Sequence, residues 1–238
     1  MLKEFVDRIV ALASVERFQI HGLEWADRTL QKVTPPTVDT ITIHTLTGLV
    51  DLLKVNVDAL RADEWVLCID DHLNVRLLQR STDAYGRRSH LIHAVLRDGE
   101  IFPFGKFVSR EEFVIGLQSR FVPDANVDEV LRLASSLESS VVALSEDDGI
   151  SQKTTVKQGI ALKEQVTVKG RVRLRPYRTF REVVQPQSEF IFRLRSSPDG
   201  GVPSCALFEA DGGTWRLDAV LEIKTWLEAQ GVTVPVVA

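Results

Sequence analysis

The chain predicts an α+β fold: a mixed N-terminal half with helices and short strands, a β-rich, largely antiparallel second half, and a C-terminal helix. Three observations carry this. Helical spacing of apolar residues is confined to a few stretches of the first half and to the C-terminal end. Short alternating runs such as VDTITIHTL, WVLCI and NVRLLQ lie between them. From Val141 to Leu194 helical spacing disappears, Ser, Thr and Val become frequent, and Gly149, Gly159 and Gly170 punctuate the run. A junction at SEDDG, near residues 145–150, would divide the chain into a mixed region, 1–145, and a β-rich region ending in a helix, 146–238, which could also close into one compact domain.

The elements follow in order. Leu2, Phe5, Ile9 and Leu12 have helical spacing and predict a helix over residues 2–13. Thr34-Pro35-Pro36-Thr37 is a break. In VDTITIHTL, Ile41 and Ile43 share one strand face. TLTGLVDLLKV returns to helical spacing, although Gly48 weakens a helix by about 1 kcal/mol. WVLCI and NVRLLQ flank the polar turn Asp70-Asp71-His72 and predict a hairpin; SHLIHAVLR is a third strand. Ser109-Arg110-Glu111-Glu112 forms a capping box that opens a helix running to about Phe121. Asp124 or Asn126 can cap the next helix, through Val127, Val130, Leu131, Ala134 and Leu137. SCALFEA is a strand ended by Asp211-Gly212-Gly213, and TWRLDAVLEIKTWLEAQG is the final helix with Gly231 as its stop. The tail VTVPVVA is too apolar to remain unpacked.

Composition is that of a globular protein, with 44% hydrophobic and 26% charged residues among 238. Such a length can bury a core without staples. Aromatics make up only 7%, so aliphatic residues dominate that core. Cys68 and Cys205 sit in apolar runs and read as buried free thiols; no CxxC spacing is present. The N-terminal stretch is interrupted by Lys3, Glu4, Asp7 and Arg8, unlike a signal peptide, and no run reaches the roughly 20 apolar residues of a membrane span. The expected location is the cytoplasm, without a membrane partner.

The strongest local feature is the basic window Gln165–Arg195. It holds Lys169, Arg171, Arg173, Arg175, Arg178, Arg181, Arg193 and Arg195 against only Glu182 and Glu189. The window carries +6 and the rest of the chain −10, for a net charge of −4. Side chains alternate along a strand, so a single strand from Val166 would place Lys169, Arg171, Arg173 and Arg175 on one face at roughly 6.6 Å intervals. If FIFRLR pairs with it, Arg193 and Arg195 join them. Unneutralised like charges on one face destabilise a sheet. The window therefore reads as a polyanion or subunit contact, with Tyr177, Phe180 and Phe190 near enough to stack bases. A solvated face neutralised by acidic groups elsewhere is the plain structural alternative. The acidic balance of the whole chain argues against a dedicated nucleic-acid binder.

Catalytic patterns are absent from the sequence. There is no HExxH, GxSxG, Walker A or GxGxxG. Asp70-Asp71-His72 has metal-ligand chemistry, but its place in a hairpin turn favours solvated turn residues. Trp65, Trp215 and Trp226 lie in apolar runs and read as core. No catalytic residue, cofactor or metal ligand is assigned.

The alternating ITIHTLTGLVDLL, the helix-opening SREEFVIGL and the closing RVRLRPYRTFREVVQPQSEFIFRLR together resemble the YfdQ-like proteins of phages and prophages, by order of elements over roughly residues 38–195. The resemblance implies a phage-type origin, hence a host cytoplasm, and carries no activity or catalytic residues. The C-terminal CALFEADGGTWRLDAVLEIKTWLEA departs from it. The leading expectation is a non-enzymatic phage or prophage protein that self-associates into a homo-oligomer through its charged β-rich surface. The alternatives are a nucleic-acid-binding accessory protein of phage replication or recombination and, more remotely, a metal-dependent hydrolase using Asp70, Asp71 and His72.

Overall fold

The structure is a computed structural model and describes residues 2–20, 23–26, 36–56, 59–84, 86–97, 101–135, 143–147, 152–158, 161–168, 170–195 and 202–238. It is α+β, with mostly antiparallel sheets. The chain divides into two compact units, Met1–Thr37 and Val38–Ala238, at the Pro35-Pro36 break. The junction expected near residues 145–150 falls on a strand, Ala143–Asp147, and on residues outside the described ones.

The N-terminal unit contains helix α1 (Leu2–Ala13) and an antiparallel hairpin of β1 (Arg17–Ile20) and β2 (Leu23–Ala26). In α1, Leu2, Phe5, Val6, Ile9 and Val10 are all exposed.

The second unit starts with β3 (Ile41–Ile43) and α2 (Leu46–Val55). Thr45 caps α2, its hydroxyl accepting from the Gly48 N–H at 3.1 Å. The Glu182 carboxylate caps the same end from far along the chain, accepting from the N–H groups of Leu46 at 2.8 Å and Thr47 at 3.3 Å. The expected hairpin is β4 (Trp65–Asp71) and β5 (Asn74–Gln79), followed by β6 (His90–Val95). The tail does pack: β13 (Val236–Val237) joins β4 in parallel. The resulting sheet has the order β13-β4-β5-β6-β3, and its two edge strands make its only parallel pairs. Leu67, Val75, Leu77 and Ala94 of this sheet pack with Leu46 and Leu49 of α2 and with Ile223 and Leu227 of α5 (Trp215–Ala229).

A second core lies under α3 (Arg110–Arg120) and α4 (Ala125–Ser135). The Ser109 hydroxyl caps α3 through the Glu112 N–H at 3.2 Å, and Asp124 caps α4 through the N–H groups of Asn126 and Val127. These helices cover the antiparallel sheet β10 (Arg171–Leu174), β11 (Ser188–Arg195) and β12 (Ser204–Glu209). Leu174, Phe190, Phe192, Leu194, Cys205 and Leu207 point inward. Burial pushes the Cys205 thiol up to about 12. A separate antiparallel meander consists of β7 (Ala143–Asp147), β8 (Gln152–Gln158) and β9 (Ala161–Val168).

The single basic strand expected from Val166 to Arg175 is therefore two strands in two sheets. β9 ends at Val168 and β10 begins at Arg171. Gly170 sits at the change, where its carbonyl accepts from the Phe192 N–H at 3.0 Å.

In α3, Gly116 lies against the Phe102 ring, and a Cβ built on it would come 2.8 Å from Phe102 Cε2. Phe102 is itself wedged edge-on against Phe113 and Phe121 and cannot retreat freely. A mid-helix alanine normally gains about 1 kcal/mol over glycine. Here the overlap outweighs that gain, so Gly116→Ala should destabilise the protein by about 1–2 kcal/mol in urea unfolding. A variant as stable as the wild type or more so would show that the Phe102 cluster is loosely packed.

Candidate anion pocket

The site begins with the segment that follows β10. Pro176 forms a bridge with Phe121, and the Tyr177 N–H donates to the Arg120 carbonyl at 2.9 Å, which ties the segment to the end of α3. Beyond Tyr177 the chain turns around the buried amide of Gln185. Its Oε1 accepts from the N–H groups of Arg178 at 3.1 Å and Thr179 at 3.3 Å, and its Nε2 donates to the carbonyls of Phe180 at 2.9 Å and Val183 at 3.2 Å. The Thr179 hydroxyl donates to the His72 carbonyl at 2.6 Å, which fixes the segment to the β4–β5 turn.

Arg178 is thereby held between the two cores. Its side chain is only 6% exposed. The guanidinium pairs with Glu209 and donates to the Ser188 hydroxyl. Ser188, Phe190 and Glu209 share the inner face of the β10–β12 sheet through the register Leu174↔Ser188 and Phe190↔Glu209. The Trp215 ring centre lies 3.8 Å from the guanidinium carbon, and the Phe104 and Phe190 centres lie at 5.6 Å. Burial lowers the Arg178 pKa to about 10, against the opposing pull of Glu209 and Asp211. At neutral pH it remains charged.

Trp215 is placed by the Asp211-Gly212-Gly213 turn. Gly212 and Gly213 have φ of 64° and 82°, a left-handed conformation that favours glycine, and Asp211 Oδ1 accepts from the Gly213 N–H at 3.0 Å. His72 meets the Trp215 ring edge-on at 4.8 Å, and Arg216 lies 4.8 Å from its centre. Trp215 is 4% exposed, and its buried indole N–H has no acceptor among the described residues. A buried donor without a partner is costly.

Around this centre opens a cavity of about 300 Å³. Arg97, Arg120, Arg178, Arg181 and Arg216 line it, and among the described residues Glu209 supplies the one carboxylate. Leu73, Leu96, Ile101 and Phe104 supply an apolar wall, and Tyr177 an aromatic one. Among the described residues no carboxylate lies within ion-pair distance of Arg97, Arg181 or Arg216. Arg181 is exposed and stacks on Tyr177, its guanidinium carbon 3.7 Å from the ring centre. The cavity can therefore accept an anion together with an apolar or flat group.

The residues singled out in the sequence are dispersed. Arg171, Arg173, Arg193 and Arg195 do share the outer sheet face, through the register Arg171↔Ile191 and Arg173↔Glu189. Arg171 is neutralised by Glu189 at 3.1 Å, and Arg195 lies over Phe107 at 3.8 Å. Arg175 lies beyond the end of β10 and pairs with Asp124 at 3.3 Å, so it is not part of that row. Lys169 lies outside the described residues. Phe180 cannot stack a base: it is 0% exposed in the core beneath the five-stranded sheet. Phe190 is likewise buried, stacked on Phe104. Of the proposed stacking residues, only Tyr177 reaches the cavity.

The Asp70-Asp71-His72 turn is taken up by other contacts. Asp70 pairs with Arg76, whose hydrogen bond and charge hold its carboxyl below the usual range against the raising effect of burial. Asp71 accepts from the Leu73 N–H at 2.7 Å and from Asn74. Among the described residues no group of three His, Cys, Asp or Glu side chains could hold a metal. Arg97, Arg120, Trp215 and Arg216 were not singled out in the sequence as site residues. They come from three separate segments, and only the density of arginine near aromatic residues hinted at them.

Removing the Arg178 side chain would take away its charge-assisted hydrogen bonds and leave the Glu209 carboxylate, a third exposed, without its cation, so Arg178→Ala should cost about 1.5–3 kcal/mol in denaturant unfolding. Arg178→Lys should not restore stability, because a point charge cannot form the fork or lie flat on Trp215. Full stability in the lysine variant would show that charge alone matters there. No protein-family model, no curated protein and no solved structure matches this chain.

Proposed function

We propose that the second unit is a non-enzymatic binding module for a small phosphate-bearing ligand, held in the arginine-lined cavity. The observation that carries this reading is that Arg97, Arg181 and Arg216 line one cavity without a carboxylate partner among the described residues. Like charges gathered around a cavity repel one another, and a bound anion relieves that repulsion. Arginine forks match phosphate oxygens in a bidentate geometry. The cations of the outer sheet face support this reading less, because Arg171 is answered by Glu189 within the chain.

Calorimetric titration with pyrophosphate at low salt tests the proposal. Binding should weaken as salt rises, and the double variant Arg97→Glu/Arg216→Glu should lose at least about tenfold in affinity, the equivalent of one charge-assisted hydrogen bond. Undiminished binding in that variant, with loss in Arg171→Glu/Arg173→Glu instead, would move the site to the sheet face and sink this reading.

A second reading, self-association into a homo-oligomer, is favoured by α1. Its exposed Leu2, Phe5, Ile9 and Val10 form an apolar stripe. Lys3 and Arg8 balance Glu4 and Asp7, so the helix carries no net charge that would repel a second copy or draw it to an anionic membrane. The phage setting implied by the resemblance suits either reading. Phe5→Asp with Ile9→Asp should shift the mass measured by light scattering from oligomer to monomer. A wild-type protein that is already monomeric at high concentration would overturn self-association without touching the pocket.

A further inference from the structure

We propose that the ligand of the cavity is a nucleoside monophosphate, either free or as the phosphorylated end of a strand. The inference rests on the anion-binding reading and narrows it. An inorganic anion would leave much of a cavity of about 300 Å³ unfilled, whereas small organic ligands occupy cavities of about this size upward. A duplex cannot enter it.

The lining is divided in kind. Arg97, Arg120 and Arg216 supply cations, while Leu73, Leu96 and Ile101 supply apolar surface that a bare phosphate would not use. At the same cavity Arg181 lies flat on Tyr177 at 3.7 Å. Arg181 is exposed, so the side of its guanidinium away from Tyr177 is open to a second flat partner. Stacking of a nucleobase on an arginine plane is a standard mode of single-strand and end recognition.

Neither an apolar ligand nor a cation would answer the guanidinium groups that line the cavity.

The test is titration of the full chain with adenosine monophosphate, thymidine monophosphate, ribose 5-phosphate, inorganic phosphate and adenosine. A 5′-phosphorylated and a 5′-hydroxyl oligonucleotide form a second arm. The monophosphates should bind about tenfold more tightly than ribose 5-phosphate or phosphate, from the stacking contribution of one base. Arg181→Lys keeps the charge and removes the plane, so nucleoside monophosphate and ribose 5-phosphate should bind it with equal affinity. Preference for the free monophosphate, or for the phosphorylated strand end over the hydroxyl end, supports the proposal and identifies the source. Equal affinity for nucleoside monophosphate, ribose phosphate and phosphate overturns it while the anion reading stands. Adenosine binding as tightly as its monophosphate, or no binding by any phosphate, overturns both.

Discussion

A guanidinium removed from water loses several kcal/mol of hydration, and burial is tolerated only where charge and hydrogen bonds are answered on the spot. Arg178 meets that condition with groups from four places in the chain: Glu209 at the end of β12, Ser188 at the start of β11, Trp215 at the start of α5 and Phe104 in the loop before α3. Each is a site at which an element must arrive correctly. The pair is therefore better understood as a constraint on geometry than as a source of net stability. Apolar replacement of such a pair is often neutral, whereas loss of one partner is not. Through Arg178 the β10–β12 sheet, the segment before α3 and the final helix are obliged to meet at one point, and the cavity lies around that point.

The segment 176–185 transmits the same constraint to the five-stranded sheet. The Gln185 amide uses both its oxygen and its nitrogen on backbone groups of its own loop, so the loop is rigid without belonging to a helix or strand. From that rigid loop Phe180 enters the core with Leu67 and Leu77, Thr179 bonds the His72 carbonyl, and Glu182 caps α2. One short irregular stretch thus joins both hydrophobic cores. Its polar residues are part of the fold as much as its apolar ones are.

The fold was legible in the sequence wherever local rules decided it. Helices α1 and α2, the capped starts of α3 and α4, the β4–β5 hairpin and the stop at Gly231 all follow from periodicity, capping residues and turn chemistry within a few positions of each other. The division of Val166–Arg175 into β9 and β10 did not follow, because alternation continues smoothly through Gly170 and gives no sign that the partner strands change. The site was only half legible. Period-two counting placed Arg171, Arg173, Arg193 and Arg195 on one face correctly, since side-chain direction is a local property. It could not show that Arg178 turns inward or that Arg97, Arg120 and Arg216 converge with Arg181, because that depends on contacts between elements well separated along the chain.

These two kinds of arginine also differ in what they leave available for a partner. On the sheet face Arg171 is screened by solvent and answered at 3.1 Å by Glu189, a pair in which each charge is largely satisfied before any ligand arrives. In the cavity Glu209, the one carboxylate among the described lining residues, is committed to Arg178, and Arg178 cannot swing away because Trp215 and Ser188 hold it. Arg97, Arg181 and Arg216 line the same cavity as Leu73, Leu96 and Ile101, and among the described residues no carboxylate pairs with them. Burial of Arg178 thus has a second effect. By occupying Glu209 it leaves Arg97, Arg181 and Arg216 without a carboxylate partner among the described residues, the condition on which the proposed anion binding rests.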